Sequence, residues 1–450
     1  VARLSLNPLD RDIARLAVPA FGALVAEPLF LLTDTALVGH LGADILGGLS
    51  IASTVLQTVI GLMIFLAYAT TPMVARRLGA GDRPGAIRAG IDGMWLALLL
   101  GVVLLAAGLL VTEPLIAAFG STPAVTEAGV TYLSVSLWGL PGMLLVIAAT
   151  GLLRGLQDTR TPLVVALAGF AANAALNVLF IYGFGWGIAG SALGTVVAQW
   201  AMALVYVVMA VRASRSTGAS LRPAFHGVLT AIASGGWLIL RTASLRIALL
   251  VTVVAATGLG VTELATLQIA LTLFSTIAFM LDALAIAGQA MIGHGLGASD
   301  VDRVSAITRR LIQVGIGAGV LIGMMLAAVS WILGPIFTGD QNVHALLTVT
   351  VLVMAIGIPL AGYVFVLDGV LIGAGDARYL ALASLISLVV YLPLLWLALQ
   401  LDSGLTGVWL AFGLGYMGAR GVTLGVRAHG TKWIVTGARR TSRHDGQATS

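Results

Sequence analysis

An all-α polytopic membrane protein, with twelve transmembrane helices in two pseudo-symmetric six-helix lobes, is the fold this sequence predicts. Three observations predict it. The 450 residues are 59% hydrophobic and only 10% charged, where soluble domains carry roughly 25% charged residues. Apolar runs long enough to cross roughly 30 Å of hydrocarbon recur from end to end. Landmark motifs of the first half also return in the second at a nearly constant spacing.

The runs lie at about 13–39, 46–73, 87–111, 127–152, 161–183, 188–211, 235–257, 263–289, 305–331, 345–372, 378–399 and 405–427. The first, from about Ile13 to Val38, is longer than a signal-peptide core and has no clear cleavage site, so it reads as a span and not a leader. The connecting loops then alternate in charge. Arg76, Arg77, Arg83 and Arg88 surround the second loop, and Arg154 and Arg160 flank the fourth. Arg212, Arg215 and Arg222 sit in the sixth, Arg303, Arg309 and Arg310 by the eighth, and Arg378 in the tenth. Odd-numbered loops such as "GADIL", "EPLIAAFGSTPAVTEAG" and "YGFGWG" carry no lysine or arginine. By the positive-inside rule both termini and every even-numbered loop are expected in the cytoplasm. That placement accounts for most of the net charge of +5 without a nucleic-acid partner.

The halves repeat. "RRLGAGD" (76–82) matches "HGLGASD" (294–300), "GLLRGLQDTR" (151–160) matches "GVLIGAGDAR" (369–378), and Pro141 matches Pro359, each pair 218 residues apart. Gly187 and Gly190 match Gly404 and Gly407 at 217. A fixed offset across separate landmarks marks an internal duplication. Six spans return the chain to its starting side, so the copies share one orientation, the parallel-repeat plan of many secondary transporters. The expected organisation is an N-lobe at 1–211, a cytoplasmic linker with an interfacial helix at 212–234, a C-lobe at 235–427 and a disordered basic tail at 428–450. The 56 glycines suit close packing of helices in lipid.

Depth follows from counting residues from the outer helix ends. Asp34 lies about five residues before the outer end of span 1, Asn177 about six from that of span 5, and Thr195 about seven into span 6. Asn173 is one turn deeper than Asn177 on the same face. These groups share one layer, which predicts a polar pocket in the outer half of the first lobe. Acids inside a membrane are costly and concentrate at functional sites, and a carboxylate withdrawn from water takes up a proton more readily. Asp34 is therefore the expected titrating group, and the asparagines with Thr195 are either pocket residues or helix-to-helix hydrogen bonds. Glu27, seven residues before Asp34, is a second candidate acid or a structural ion-pair partner. Pro19 and Pro28 each remove a backbone hydrogen bond from span 1 and give it places to bend or kink.

A second charged set lies near the inner face: Arg241 and, deeper, Arg246 on span 7, Asp282 on span 8 and Asp368 on span 10. An unpaired arginine inside the membrane is expensive, so pairing in a structural or gate-closing network is expected, with a second ion site as the alternative. Enzyme chemistry finds little support. The chain has no cysteine, its six histidines are scattered without zinc spacing, and no nucleophile triad or phosphate-cradling loop is present. No metal or cofactor is expected beyond a coupling ion, H+ or Na+.

At this point the residues resemble a known family. "DTALVGHLG", "MVARRLGAGD" and "GLLRGLQDTRTP" are similar to segments of multidrug and toxic compound extrusion (MATE) transporters. "FMLDALAIAGQAMIGHGLGASD" and "FVLDGVLIGAGDAR" resemble its DinF-like branch. The resemblance covers roughly 10–427 and implies a twelve-helix antiporter that expels amphipathic or cationic small molecules against an inward cation, usually a proton. It implies Asp34 as the main coupling residue, Thr195 as a pocket threonine and Pro19 as a helix-bending proline. Archaeal members pair Asn with Asp on span 5; this chain has Asn173 and Asn177, which shifts weight from a two-carboxylate relay onto Asp34, aided by Glu27.

The expected protein is thus a cation-coupled exporter, monomeric, with its small-molecule substrate and membrane lipid as partners, in a bacterial inner membrane. Two rivals are a lipid or lipid-linked sugar flippase of the same superfamily and a membrane-embedded transferase. The first needs a larger cationic cavity and the second paired metal-binding carboxylates, and neither is evident in the sequence.

Overall fold

A computed structural model describes residues 7–438, apart from the side chains of Glu27 and of residues 225–231. Twelve helical segments follow one another: α1 (Pro8–Gly39), α2 (Ala43–Gly79), α3 (Arg83–Ala117), α4 (Pro123–Gly155), α5 (Arg160–Gly183) and α6 (Gly187–Thr217) in the first half. The second half holds α7 (Phe225–Leu259), α8 (Val261–Gly297), α9 (Val301–Phe337), α10 (Gln341–Gly373), α11 (Ala377–Gln400) and α12 (404–429). Eleven are long and apolar enough to cross a membrane. The twelfth expected span, α12, is divided: Gly404–Leu410 is α-helix, Ala411–Gly418 is a π-helix, and Ala419–His429 is α-helix again.

The duplication is written in the backbone. Residues with positive φ recur in pairs: Gly42 and Gly260, Gly81 and Ser299, Gln157 and Gly375, Gly185 and Asp402, Gly187 and Gly404. Each pair is 217 or 218 residues apart, so the same left-handed corners end the same helices in both halves. After the corners at Gly81 and Ser299, Asp82 accepts the amide of Gly85 and Asp300 that of Arg303, satisfying donors at the first turns of α3 and α9. The "LGAGD" and "LGASD" loops are therefore tight capped turns. A close approach repeats as well. A Cβ on Gly101 would stand 2.5 Å from Pro141 Cα, and one on Gly319 would stand 2.7 Å from Pro359 Cα. Only glycine lets α3 meet α4, and α9 meet α10, at that distance.

Two expectations need correction. The linker carries no separate interfacial helix. α7 starts at Phe225 and runs unbroken to Leu259, because no proline interrupts it and the paired Gly235 and Gly236 do not stop it. Its start is pinned to α3: Asp92 accepts the amide of Ala224 at 2.8 Å, and the Trp95 indole donates to the Leu221 carbonyl at 2.9 Å. The segment after α12 is also ordered up to residue 438. Trp433 is 1% exposed, its indole donates to the Ala428 carbonyl, and the Gly437 amide donates to the carbonyl of Leu296 at the end of α8. A tryptophan with its ring buried and its one donor satisfied holds a chain that charge alone would leave solvated. Residues 439–450, the rest of the expected tail, lie outside the described residues.

By contact the chain forms two compact units. One is Gly22–Gly235, and the other joins the residues up to Phe21 with those from Gly236 onward. The boundary falls inside α1, between Phe21 and Gly22, and inside α7, between Gly235 and Gly236.

Candidate functional site

In the unit Gly22–Gly235 three helices converge on Asp34 of α1. α5 presents Asn173 and Asn177 one turn apart, α6 presents Ser191 and Thr195 one turn apart, and α4 brings Tyr132. The last turn of α5 widens into a π-helix at Leu179–Gly183, and Gly190 packs against it so closely that a Cβ there would stand 2.8 Å from the Phe180 carbonyl. α6 therefore starts close enough to α5 for their polar faces to bond. The Tyr182 hydroxyl donates to the Leu37 carbonyl at 2.6 Å and joins the ends of α5 and α1.

Asp34 is 2% exposed and accepts three hydrogen bonds. Asn177 donates to Oδ1, Ser191 donates to the same oxygen at 3.0 Å, and Tyr132 donates to Oδ2 at 3.2 Å. Asn177 also donates to Asn173 Oδ1 at 3.1 Å, Asn173 donates to Thr195 at 2.9 Å, and Thr195 donates to the Ser191 carbonyl at 3.2 Å. The chain of bonds closes on itself through α6. Asn177 Oδ1 is buried without a partner and faces Gly194, where a Cβ would stand 2.1 Å from it. Among the described residues no arginine, lysine or histidine forms an ion pair with Asp34.

All donors to this carboxylate are neutral. An ionised carboxylate only accepts, so three donors suit it; once protonated it becomes a donor itself, and at least one neighbour must turn or move. The two protonation states of Asp34 therefore call for different hydrogen positions around it, with the Tyr132 hydroxyl at Oδ2 able to turn from donor to acceptor.

Asp34, Asn173, Asn177 and Thr195 come together as one network. Tyr132 and Ser191 are functional-site members that the sequence reading missed. Ser191 was within reach of the helix-face argument, being four residues before Thr195; Tyr132 has only its depth in span 4 to mark it. Pro19 and Pro28 sit inside α1 without interrupting it. The Glu27 side chain lies outside the described residues.

Within the inner charged set Arg241 and Asp368 pair as expected, and a residue outside that set, Arg420, joins them. Asp368 on α10 is clamped by two guanidinium groups, Arg241 of α7 and Arg420 of α12. Arg420 also donates to Ser384 of α11, whose carbonyl accepts from Ser244 at 2.8 Å. Arg420, 4% exposed, takes the place foreseen for other residues. Asp282 is half-buried on α8, and Arg246 is exposed on α7.

The duplicate of the Asp34 site carries no acid. Adding 218 to 34 and to 173 gives Thr252 and Tyr391, and adding 217 to 195 gives Phe412. Thr252 and Tyr391 share a 2.6 Å hydrogen bond, and Phe412 stacks on Tyr416 with ring centroids 5.7 Å apart. Rings stand in the second copy where the first has Asn173 and Thr195. Among the described residues no group of three histidine, aspartate or glutamate side chains could hold a metal ion.

The MatE family model matches residues 19–179 and 238–397, one copy in each half. DNA damage-inducible protein F of Escherichia coli (strain K12) is 27% identical over 68% of this chain and 67% of its own length. A probable multidrug resistance protein NorM of Bradyrhizobium diazoefficiens is 29% identical over 76% of each chain. The match to the chloroplastic protein DETOXIFICATION 45 of Arabidopsis thaliana, 26% identical, spans 66% of that protein's length. In fold, the chain superposes on the Vibrio cholerae MATE transporter VcmN in its bent form with a TM-score of 0.87, at 20% identity, over 95% of this chain and 97% of that one. A family model that accounts for most of both halves, on a membrane-helix fold of this kind, assigns the chain: it belongs to the MatE family, whose members are multidrug transporters and not enzymes.

Proposed function

We propose that this protein exports drugs, organic cations or other amphipathic metabolites in exchange for protons, with Asp34 as the coupling group. The observation that carries the reading is a buried carboxylate held by three neutral donors and no cationic partner. Uptake of a proton from outside turns Asp34 from acceptor to donor. The Tyr132 hydroxyl must then turn from donor to acceptor or give up its bond, the outer half of α1 shifts with this rearrangement, and the pocket around Asn173 and Thr195 contracts to release substrate. Return of the lobes to an inward-facing state discharges the proton to the cytoplasm. The membrane field supplies about 2.3 kcal/mol per charge per 100 mV to this exchange. The loop charges support a bacterial inner membrane with both termini cytoplasmic.

Sodium is the second reading, and one observation favours it: Asn177 Oδ1 is a buried oxygen without a partner, next to the carboxylate. The chain's relatives, multidrug resistance proteins among them, support small-molecule substrates. Everted vesicles with an imposed pH or sodium gradient test the assignment, comparing wild type with Asp34→Asn for uptake of a fluorescent cation. Loss of gradient-driven uptake in the variant is expected. Wild-type uptake by Asp34→Asn would remove Asp34 from the mechanism, and drive by sodium with no pH component would replace the proton.

A further inference from the structure

α1 begins in one compact unit and ends in the other. Up to Phe21 it clusters with the residues from Gly236 onward; from Gly22 it belongs to the unit that holds Asp34. Its first half is seated by a helical stripe, Ile13, Leu16, Ala17 and Ala20, none more than 7% exposed. Apolar contacts of that kind resist separation but allow a helix to slide or turn by a fraction of a turn. One contact does not. Arg310 of α9 grips Asp10 with two parallel bonds, Nε to Oδ1 at 2.6 Å and Nη2 to Oδ2 at 2.7 Å, and its remaining Nη1 donates to Gln313 at 2.9 Å. A bidentate guanidinium–carboxylate pair fixes direction as well as distance. Pro19, which cannot donate to the carbonyl of Arg15, stands just before the unit boundary and weakens the helix there.

We propose that the Asp10–Arg310 pair is a positioning element for transport, the fixed foot of α1. With that end held, movement of the Asp34 end bends the helix near Pro19–Gly22; without it, the same movement is dissipated by sliding of the first half along its apolar stripe. Asp10 and Arg310 touch neither substrate nor the coupling site and act through α1 alone. The proposal rests on the reading of Asp34 as the coupling group.

The test uses the full-length chain in everted vesicles and compares Asp10→Asn, Arg310→Gln, the exchanged pair Asp10→Arg with Arg310→Asp, and Asp34→Asn. Each single variant is expected to lower the gradient-driven rate by about fivefold, the order an exposed pair contributes to an equilibrium, with substrate KM unchanged. The exchanged pair should recover most of that loss. Because the chain has no cysteine, a single cysteine at Ala14 reports on the foot directly. Its labelling rate should be the same at acidic and alkaline pH in the otherwise wild-type chain and should become pH-dependent in Asp10→Asn. Wild-type rates in both single variants, or a loss that the exchanged pair leaves unrepaired, would overturn the anchor while leaving the coupling role of Asp34 intact. Wild-type transport by Asp34→Asn would instead bring down the reading on which the anchor rests.

Discussion

Gly194→Ala is the sharpest probe of the Asp34 network, because it adds one carbon atom and no charge. The new Cβ would stand 2.1 Å from Asn177 Oδ1, 3.2 Å from its backbone nitrogen and 3.3 Å from its Cγ. An oxygen needs about 1 Å more than that from a carbon atom at rest, and Asn177 is fully buried, with no free space to take up the difference. Its amide must therefore swing away. The bond to Asn173, now 3.1 Å, lengthens beyond bonding range, and the bond to Asp34 goes with it. One bond to a charged group and one neutral bond together contribute about 2.5–4 kcal/mol, so the native arrangement of the pocket loses about a hundredfold in relative population. The gradient-driven uptake rate should fall by at least about tenfold, while the detergent-solubilised protein still elutes as a folded species. Gly236→Ala is the control: no atom lies within 4 Å of its Cβ position, so helix propensity should make it neutral or slightly stabilising. Gly194→Ala transporting at the wild-type rate would refute the argument that Asn177 must sit where it does.

Other outcomes follow from the rest of the molecule. Asp368→Asn leaves Arg241 and Arg420 without their shared counter-charge, and thermal unfolding in detergent should show a loss of about 3–5 kcal/mol; the double variant Asp368→Asn with Arg420→Gln should be less destabilised than the sum of the two. Trp433→Ala removes a fully buried indole, costs about 3–5 kcal/mol locally, and should open residues 430–438 to limited proteolysis with transport through the Asp34 site retained. Ser299→Gly relieves a side chain at φ +58° and should raise the unfolding free energy by up to about 1 kcal/mol; a lower melting temperature would contradict the strain argument.

What the sequence made legible was depth, and what it hid was azimuth. Counting residues from the outer helix ends brought Asp34, Asn173, Asn177 and Thr195 to one layer, and the structure joins them. The same kind of count set Arg246 at a depth along α7 but left its face open; its side chain is exposed, and hydropathy does not say which way a residue faces around its helix. Tyr132 and Arg420 were missed for a related reason. Each reaches its partner from a helix far away in the chain, and only packing decides that α4 and α12 turn those faces inward. The π-helix at Ala411–Gly418, which resets the phase of α12 just before Arg420, has no local signature of the kind that proline or a capping aspartate provides. The duplication, by contrast, could be read at both levels, since the motifs and the left-handed corners share one offset.

Duplication copied the scaffold of this protein without copying its chemistry. At the position where one half keeps a carboxylate among amides, the other keeps Thr252 bonded to Tyr391 beneath Phe412. An engineer who wished to make the halves equivalent could not simply restore an acid at 252. The rings would first have to give way to smaller polar groups, or the new charge would have little beside the Tyr391 hydroxyl to solvate it. As it stands, the carboxylate at this position belongs to one copy of the repeat alone.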